Sequence, residues 1–139
     1  MELKATFIKI SLLFFLFGCT NHNIYEKVED NSFVGKLQKF TILASSPELL
    51  KLSKSAIKDT NIHLSKSPYT IVVESSAYPA HCNNPLNISN EARFDGYVKL
   101  TLKKAFHKIY TIQADFYDDV NEDIIVELLQ KMKKDMKIK

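Results

Sequence analysis

The sequence places a histidine directly before a cysteine, at His81 and Cys82, and this pair could supply a general base and a nucleophilic thiolate. A cysteine nucleophile needs a base within hydrogen-bond reach and a further group that orients the base. The surrounding sequence offers no such orienting group, and adjacent loop positions do not by themselves form a dyad. We therefore interpret the pair as part of a polar loop and keep both residues as candidates for an interaction site.

The same two residues could bind a metal ion, because imidazole and thiolate are both zinc ligands. A structural zinc site takes four ligands, usually in closely spaced pairs. The remaining histidines, His22, His63 and His107, are scattered along the chain. The sequence therefore predicts no metal site.

Three carboxylates, Asp115, Asp118 and Asp119, could act as a general acid and base. Asp118 and Asp119 lie at the start of a predicted helix, where helix capping explains them without catalysis. The sequence has no glycine-rich phosphate loop, no Gly-x-Ser-x-Gly and no His-Glu-x-x-His. We predict that the protein is not an enzyme and that it needs no cofactor.

The start of the chain has the pattern of an export signal. Lys4 and Lys9 precede an apolar run over residues 10–17, which ends at Gly18 and Cys19. This run is shorter than the roughly 20 apolar residues that a membrane-spanning helix needs. The pattern predicts a secretory signal peptide over residues 1–18.

The end of this segment, Leu16-Phe17-Gly18-Cys19, resembles the lipobox of bacterial lipoproteins. The resemblance implies a diacylglycerol thioether on the Cys19 sulfur, cleavage before Cys19 and acylation of the new amino terminus. Each buried lipid methylene contributes about 0.8 kcal/mol, so two or three chains hold a protein firmly to a bilayer. The alternative is an ordinary cysteine that follows an uncleaved anchor helix.

The residue after Cys19 is Thr20. In many Gram-negative lipoproteins an aspartate there retains the protein at the inner membrane. The resemblance therefore implies attachment to the outer membrane, with the domain facing the periplasm.

Charge and length limit the function further. Loss of residues 1–18 leaves 121 residues, with 17 of the 19 basic and 15 of the 16 acidic residues, for a net charge of +2. This balance lacks the strongly basic character of nucleic-acid-binding proteins, so we predict no nucleic-acid partner. With Cys19 lipidated, Cys82 has no partner in its own chain and is buried, paired with another chain, or reactive.

The remaining pattern predicts one domain over residues 36–139, after a polar linker over 19–35. Strands are predicted over 36–44, 69–76, 94–103 and 110–116, and helices over about 46–59 and 118–137, from their hydrophobic periodicity. The predicted fold is α+β, in the order β-α-β-β-β-α. We expect a four-stranded, mainly antiparallel sheet with both helices on one face, which leaves the other face open to water or to a partner.

Basic residues mark the candidate interaction site on this sheet. The connection over residues 104–108 lacks the Asn-Gly of a tight turn, so we expect a loop of a few residues. The basic cluster at its tip consists of Lys103, Lys104, His107 and Lys108. Tyr97 alternates onto the same face as Lys99 and Lys103, the face expected to be uncovered. The candidate interaction residues are therefore Tyr97, Lys99, Lys103, Lys104 and Lys108, together with His81 and Cys82.

The order of elements after a lipidated segment resembles that of LptE, the family of lipopolysaccharide-assembly lipoproteins that sit inside the barrel protein LptD. The resemblance covers residues 36–137 and is one of topology. It implies a non-enzymatic assembly or adaptor module with an outer-membrane barrel as partner. The alternatives are a stand-alone ligand- or envelope-binding lipoprotein that uses the 77–92 loop, and a thiol-dependent activity at Cys82.

Overall fold

The computed structural model describes residues 23–78 and 94–139. These residues form one mixed β-sheet and two α-helices. The strands are β1 (Ile24–Val28), β2 (Lys39–Ala44), β3 (His63–Leu64), β4 (Tyr69–Ala77), β5 (Gly96–Lys104) and β6 (His107–Phe116), and the helices are α1 (Pro47–Lys58) and α2 (Glu122–Asp135). A short 3-10 helix, Asn31–Phe33, follows β1.

The strands lie in the order β1-β6-β5-β4-β2-β3. The pairs β1–β6, β6–β5 and β5–β4 are antiparallel. Strand β2 is parallel to both of its neighbours, β4 and β3. Parallel neighbours cannot be joined by a tight turn, and α1 provides the crossover from β2 to β4. The predicted order of four long strands and two helices is present, but the predicted four-stranded, mainly antiparallel sheet is wrong, because the sheet has six strands and is mixed.

The two additional strands lie where the sequence pattern is weakest. Strand β1 falls within residues 19–35, for which the sequence predicts a linker, and pairs with β6 from Ile24 opposite Ala114 to Val28 opposite Tyr110. Only its end residues, Ile24 and Val28, are partly buried. Because its three middle residues are exposed, β1 does not show the alternation of apolar and polar residues that marks a strand in the sequence. Strand β3 has two residues and is too short to produce a pattern.

Helix α1 starts within one residue of its predicted position, whereas α2 starts four residues later than predicted. Ser46 caps α1, since its Oγ accepts a hydrogen bond from Leu49 N at 3.1 Å. Asn121 caps α2, and its Oδ1 accepts from Ile124 N at 3.0 Å. The predicted capping role of Asp118 and Asp119 is wrong. The sequence places an asparagine closer to the apolar stripe, and asparagine caps a helix as well as aspartate does.

The core lies between the helices and one face of the sheet. Alternate residues of the central strands point into it, and Ile71, Leu100 and Ile112 are fully buried. Helix α2 contributes Ile125, Leu128, Leu129 and Met132, which are also fully buried. Each such side chain stabilises the fold by about 1.5–3 kcal/mol relative to exposure. Both helices pack on this one face, as predicted, and the other face is left to the site described below.

The β5–β6 hairpin is tighter than the sequence predicts. Lys104 pairs with His107, so the turn consists of Ala105 and Phe106 alone, and the expected loop of a few residues is wrong. Ala105 adopts a φ of 52°, a left-handed conformation that usually requires glycine. The sequence hides this turn because alanine is not a typical residue for it.

Candidate interaction surface

The face of the sheet opposite the helices, here called the open face, carries rows of polar, aromatic and a few apolar side chains. Cross-strand pairing aligns them. The middle row is Leu43, Val72, Thr101, Thr111 and Lys27, the next row is Glu74, Lys99, Gln113 and Tyr25, and the last is Ser76, Tyr97 and Asp115. Because each row runs across paired strands, the backbone ladder fixes the spacing of these side chains.

Two large side chains on the open face are exposed to solvent. Tyr25 on β1 is 57% exposed and Leu43 on β2 is 53% exposed. They lie on strands near opposite edges of the sheet. Between them, Val72 is partly buried and Thr101 is only 6% exposed, so the middle of the face is well packed. A rigid surface with apolar positions of this kind suits contact with another protein.

A salt bridge crosses the middle of the open face. Lys99 Nζ lies 3.1 Å from Glu74 Oε2 on the neighbouring strand. Both side chains are about a third or more exposed, so the pair adds little to stability. The pairing neutralises the charge of Lys99, one of the predicted interaction residues, and holds it in place.

At one end of the open face, two tyrosines, Tyr78 and Tyr97, lie beside the buried carboxylate of Asp115. Tyr78 Oη donates a hydrogen bond to Asp115 Oδ1 at 2.7 Å, and Asp115 is only 7% exposed. The ring of Tyr78 lies 5.6 Å from that of Tyr97. Desolvation and, next, the hydrogen bond to Asp115 raise the pKa of Tyr78 to about 12. Tyr78 therefore keeps its proton, and its hydrogen bond to Asp115, to a higher pH than an unperturbed tyrosine would.

The structure brings some of the predicted interaction residues together. Tyr97, Lys99 and Lys103 share the open face, and Lys108 lies opposite Lys103 across the hairpin. Lys104 lies apart from this row, with its Nζ 5.9 Å from the centre of the Tyr69 ring.

His107 accompanies the basic cluster of the hairpin but contacts a carboxylate. Its Nε2 lies 2.8 Å from Asp30 Oδ2. Hydrogen bonds from Ser32 and then from His107 lower the pKa of Asp30 to about 2. This contact ties the hairpin to the segment after β1.

The remaining predicted residues, Cys19, His81 and Cys82, lie outside the described residues. Tyr25 and Leu43 were missed by sequence reasoning. The alternation of Phe40 and Ile42 inward would have placed Leu43 outward, so that signal was available. The sequence does not single out Tyr25, because its segment has the pattern of a linker.

Within residues 23–78 and 94–139, no three side chains among histidine, cysteine, aspartate and glutamate gather closely enough to hold a metal ion. In those same ranges no helix is both long enough and apolar enough to cross a membrane.

Comparison with known proteins adds little. No protein-family model matches the chain, and no curated protein matches it. Two crystal forms of the PelC dodecamer from Paraburkholderia phytofirmans align with 8% and 7% identity and TM-scores of 0.41 and 0.43, covering 85% of this chain and 98% and 99% of those chains. A minor lipoprotein from Acinetobacter baumannii aligns with 14% identity and a TM-score of 0.38, covering 71% of this chain and 90% of that chain. Overlaps this loose assign neither a family nor a function.

Proposed function

We propose that the protein is a non-enzymatic lipoprotein of the bacterial envelope that acts as an assembly or adaptor module. In this proposal the acylated Cys19 anchors the chain to the outer membrane, the domain faces the periplasm, and the open face binds an envelope protein. The lipobox-like Leu16–Cys19 supports the anchor. The open face supports the binding role.

The observation that carries the binding role is the pair of exposed side chains Tyr25 and Leu43 on a sheet whose other face is fully occupied by helices. An adaptor needs a surface that does not rearrange when it binds, and a face built on paired strands meets this need. Tyrosine is enriched at protein interfaces, where it supplies large contact area.

The absence of a catalytic role is part of the same proposal. The side-chain hydrogen bonds of the described residues cap helices, join loops to strands, and link Tyr78 to Asp115 and Tyr110 to Asp135. None of the bonds among these described residues joins a hydroxyl or thiol nucleophile to a histidine base, as nucleophilic catalysis requires.

A narrower form of the proposal is an accessory subunit of the LptE type, whose partner would be an outer-membrane barrel. The order of the four long strands and two helices supports this form. It remains the sharpest version to test, and no lipopolysaccharide-binding residue is transferred to this chain.

Copurification from detergent-solubilised membranes tests the binding role. The wild-type protein should bring down an integral membrane protein in comparable amount, and a Tyr25→Glu, Leu43→Glu double variant should lose it. Lys51→Glu on α1, which is exposed but lies away from the open face, is the matched control and should retain the partner. Recovery of a solitary monomer from wild-type membranes would overturn the adaptor role and favour the stand-alone binding alternative.

A further inference from the structure

The charges of the domain are segregated along the strand axis. The hairpin turn at Ala105–Phe106 lies at one end, beside the starts of β2 and β4, because Lys104 pairs with Tyr69 and Thr41 pairs with Thr70. Both helices also end there: Gly35 N bonds Met136 O at 2.8 Å, and Lys133 Nζ bonds Thr60 O at 3.0 Å. We call this end the basic pole.

Eleven lysines lie at the basic pole, on five different segments. They are Lys36, Lys39, Lys58, Lys66, Lys103, Lys104, Lys108, Lys133, Lys134, Lys137 and Lys139. All are at least partly exposed, and none forms a salt bridge with another described residue. Four carboxylates accompany them, Glu29, Asp30, Asp59 and Asp135, so the pole carries a large positive excess.

The opposite end of the sheet is acidic. It holds the end of β6 and the starts of both helices, and its carboxylates are Glu48, Asp95, Asp115, Asp118, Asp119, Glu122 and Asp123. Of the described lysines, only Lys51 comes within three positions of one of these carboxylates, one helical turn after Glu48 on α1. The nearly neutral total charge therefore hides a strong charge separation between the two ends of the sheet.

Phe106 stands at the tip of the basic pole. Its side chain is 101% exposed, the largest value among the exposed apolar side chains of the described residues. It occupies a two-residue turn in which Ala105 already adopts an unfavourable φ of 52°. Neither residue contributes to the core, so the fold alone gives no reason for a phenylalanine at this position.

Helix dipoles explain only part of the basic pole. Lysines near helix C-termini, such as Lys58, Lys133 and Lys134, are favoured by the dipole at those ends. The dipole does not account for Lys103, Lys104 and Lys108, which lie on strands on either side of Phe106. The hairpin lysines and Phe106 therefore need a separate explanation.

We propose that the basic pole binds the surface of a lipid bilayer with anionic headgroups and that Phe106 inserts between those headgroups. A phenylalanine flanked by lysines can bury its ring while the ammonium groups stay at the phosphates. Each lysine close to an anionic bilayer adds to the attraction, and the effect falls off within a Debye length of the surface. Binding of this kind needs no fixed partner geometry, which matches flexible lysines spread over five segments.

The residue types favour a lipid surface over an acidic protein. Lysine is depleted in protein interfaces, whereas arginine is enriched and pairs with carboxylates through two parallel hydrogen bonds. The chain has a single arginine, Arg93, among its 19 basic residues, and it lies outside the described residues. The pole thus offers diffuse positive charge and one apolar tip, the combination that an anionic bilayer attracts.

Combined with the proposed function, on which this consequence rests, the site would orient the domain. Asn23 lies at the acidic end of the sheet, because Asp115 N donates a hydrogen bond to Asn23 O and the next residue, Ile24, pairs with Ala114. The chain from Cys19 to Asn23 spans at most about 14 Å, whereas nine-residue strands such as β5 are about 30 Å long. Attachment through Cys19 at the acidic end and through the basic pole at the other end would hold the strands roughly parallel to the bilayer surface.

The sequence contains no tryptophan, so Phe106→Trp introduces a single fluorescent reporter at the tip. The purified full chain carrying this change would be mixed with vesicles of phosphatidylcholine, with or without phosphatidylglycerol. We expect a blue shift of emission, and quenching by lipids brominated near the headgroup, only with phosphatidylglycerol. The shift should be lost in 1 M salt, where the Debye length is about 3 Å.

Two further variants on the Phe106→Trp background locate the source of binding. Lys103→Gln, Lys104→Gln, Lys108→Gln together should abolish the shift. Lys51→Gln, Lys54→Gln, a double change on the exposed side of α1 and away from the hairpin, should leave it unchanged.

Equal shifts with both kinds of vesicle, no shift with either, or a shift that survives the hairpin triple change would each overturn the proposal. A shift that appears without vesicles and grows with protein concentration would instead show self-association, and would also overturn it. The fluorescence of the tryptophan reports only on the surroundings of position 106. The result is therefore independent of Cys19 acylation and of whether a protein partner copurifies. Failure here is therefore distinguishable from failure of the adaptor role.

Discussion

The hydroxyl of Tyr110 on β6 donates a hydrogen bond to Asp135 Oδ2 in the last turn of α2, at 2.8 Å. Tyr110 is fully buried, and Asp135 also lies 3.5 Å from Lys131 Nζ. The bond joins the C-terminal helix to the sheet from within the core.

Tyr110→Phe should lower the free energy of unfolding by about 1–2 kcal/mol, because it leaves the Asp135 carboxylate without its buried donor. Urea denaturation followed by circular dichroism measures the change. Tyr117→Phe is the matched control, since Tyr117 is 39% exposed, and it should change the unfolding free energy by less than about 0.5 kcal/mol. Equal effects of the two changes would contradict the role of the hydrogen bond.

Stability should fall at alkaline pH. Desolvation and the hydrogen bond to Asp115 raise the pKa of Tyr78 to about 12, and desolvation with the bond to Asp135 raises that of Tyr110 further. A raised pKa means that the folded state holds its proton more tightly than the unfolded state does. This contribution is therefore constant below about pH 10 and is lost as pH rises through the folded-state values.

Unfolding free energies measured between pH 8 and pH 12 test this dependence. Because the lysines also titrate in this range, the informative quantity is the difference between wild type and Tyr78→Phe, which should show the shallower decline. Identical slopes would contradict the raised pKa of Tyr78.

A charge in the core should be strongly destabilising. Ile125 on α2 is fully buried, so Ile125→Asp places a carboxylate among the apolar side chains of the core. The expected loss is several kcal/mol, seen as a large drop in Tm or failure to fold. Gln130→Asp on the exposed side of the same helix should change Tm little. An unchanged Tm for Ile125→Asp would show that the core face of α2 is assigned wrongly.

The sequence predicts the long elements because each buries a regular stripe. The alternation of Val98, Leu100 and Leu102 defines β5, and the spacing of Ile125, Leu128 and Met132 defines α2. Strand β1 is not predicted because the middle residue on its helix-facing side is Glu26, which pairs with Lys131 of α2, so that only Ile24 and Val28 are apolar there. A strand that gains its stability from pairing with β6 leaves no hydrophobic signature.

The open face is predictable in part for the same reason. Residues that alternate against a buried stripe must point away from it, which places Tyr97, Lys99 and Lys103 correctly. The contact of Tyr78 with Asp115 is not predictable, because it joins residues 37 positions apart after a change of strand. A β-bulge between Leu102 and Lys103 similarly brings both Ile109 and Tyr110 into the core, which simple alternation excludes.

The hairpin turn offers a direct test of backbone strain. Ala105→Gly should stabilise the protein by up to about 1 kcal/mol, since glycine adopts a φ of 52° without the steric cost that a Cβ imposes. Ala105→Val should destabilise it, because β-branching worsens the same clash. Thermal unfolding of the two variants measures the difference. A lower Tm for Ala105→Gly than for wild type would contradict the left-handed turn.

Site-specific photo-crosslinking in living cells tests the central claim most directly. A photoreactive residue at Leu43 on the open face should form a covalent adduct with an envelope protein, whereas the same residue at Lys51 on the outer side of α1 should not. Adducts from Lys51 but not from Leu43, or none from Leu43 when the protein is abundant and membrane-bound, would contradict an adaptor that binds through the open face of its sheet.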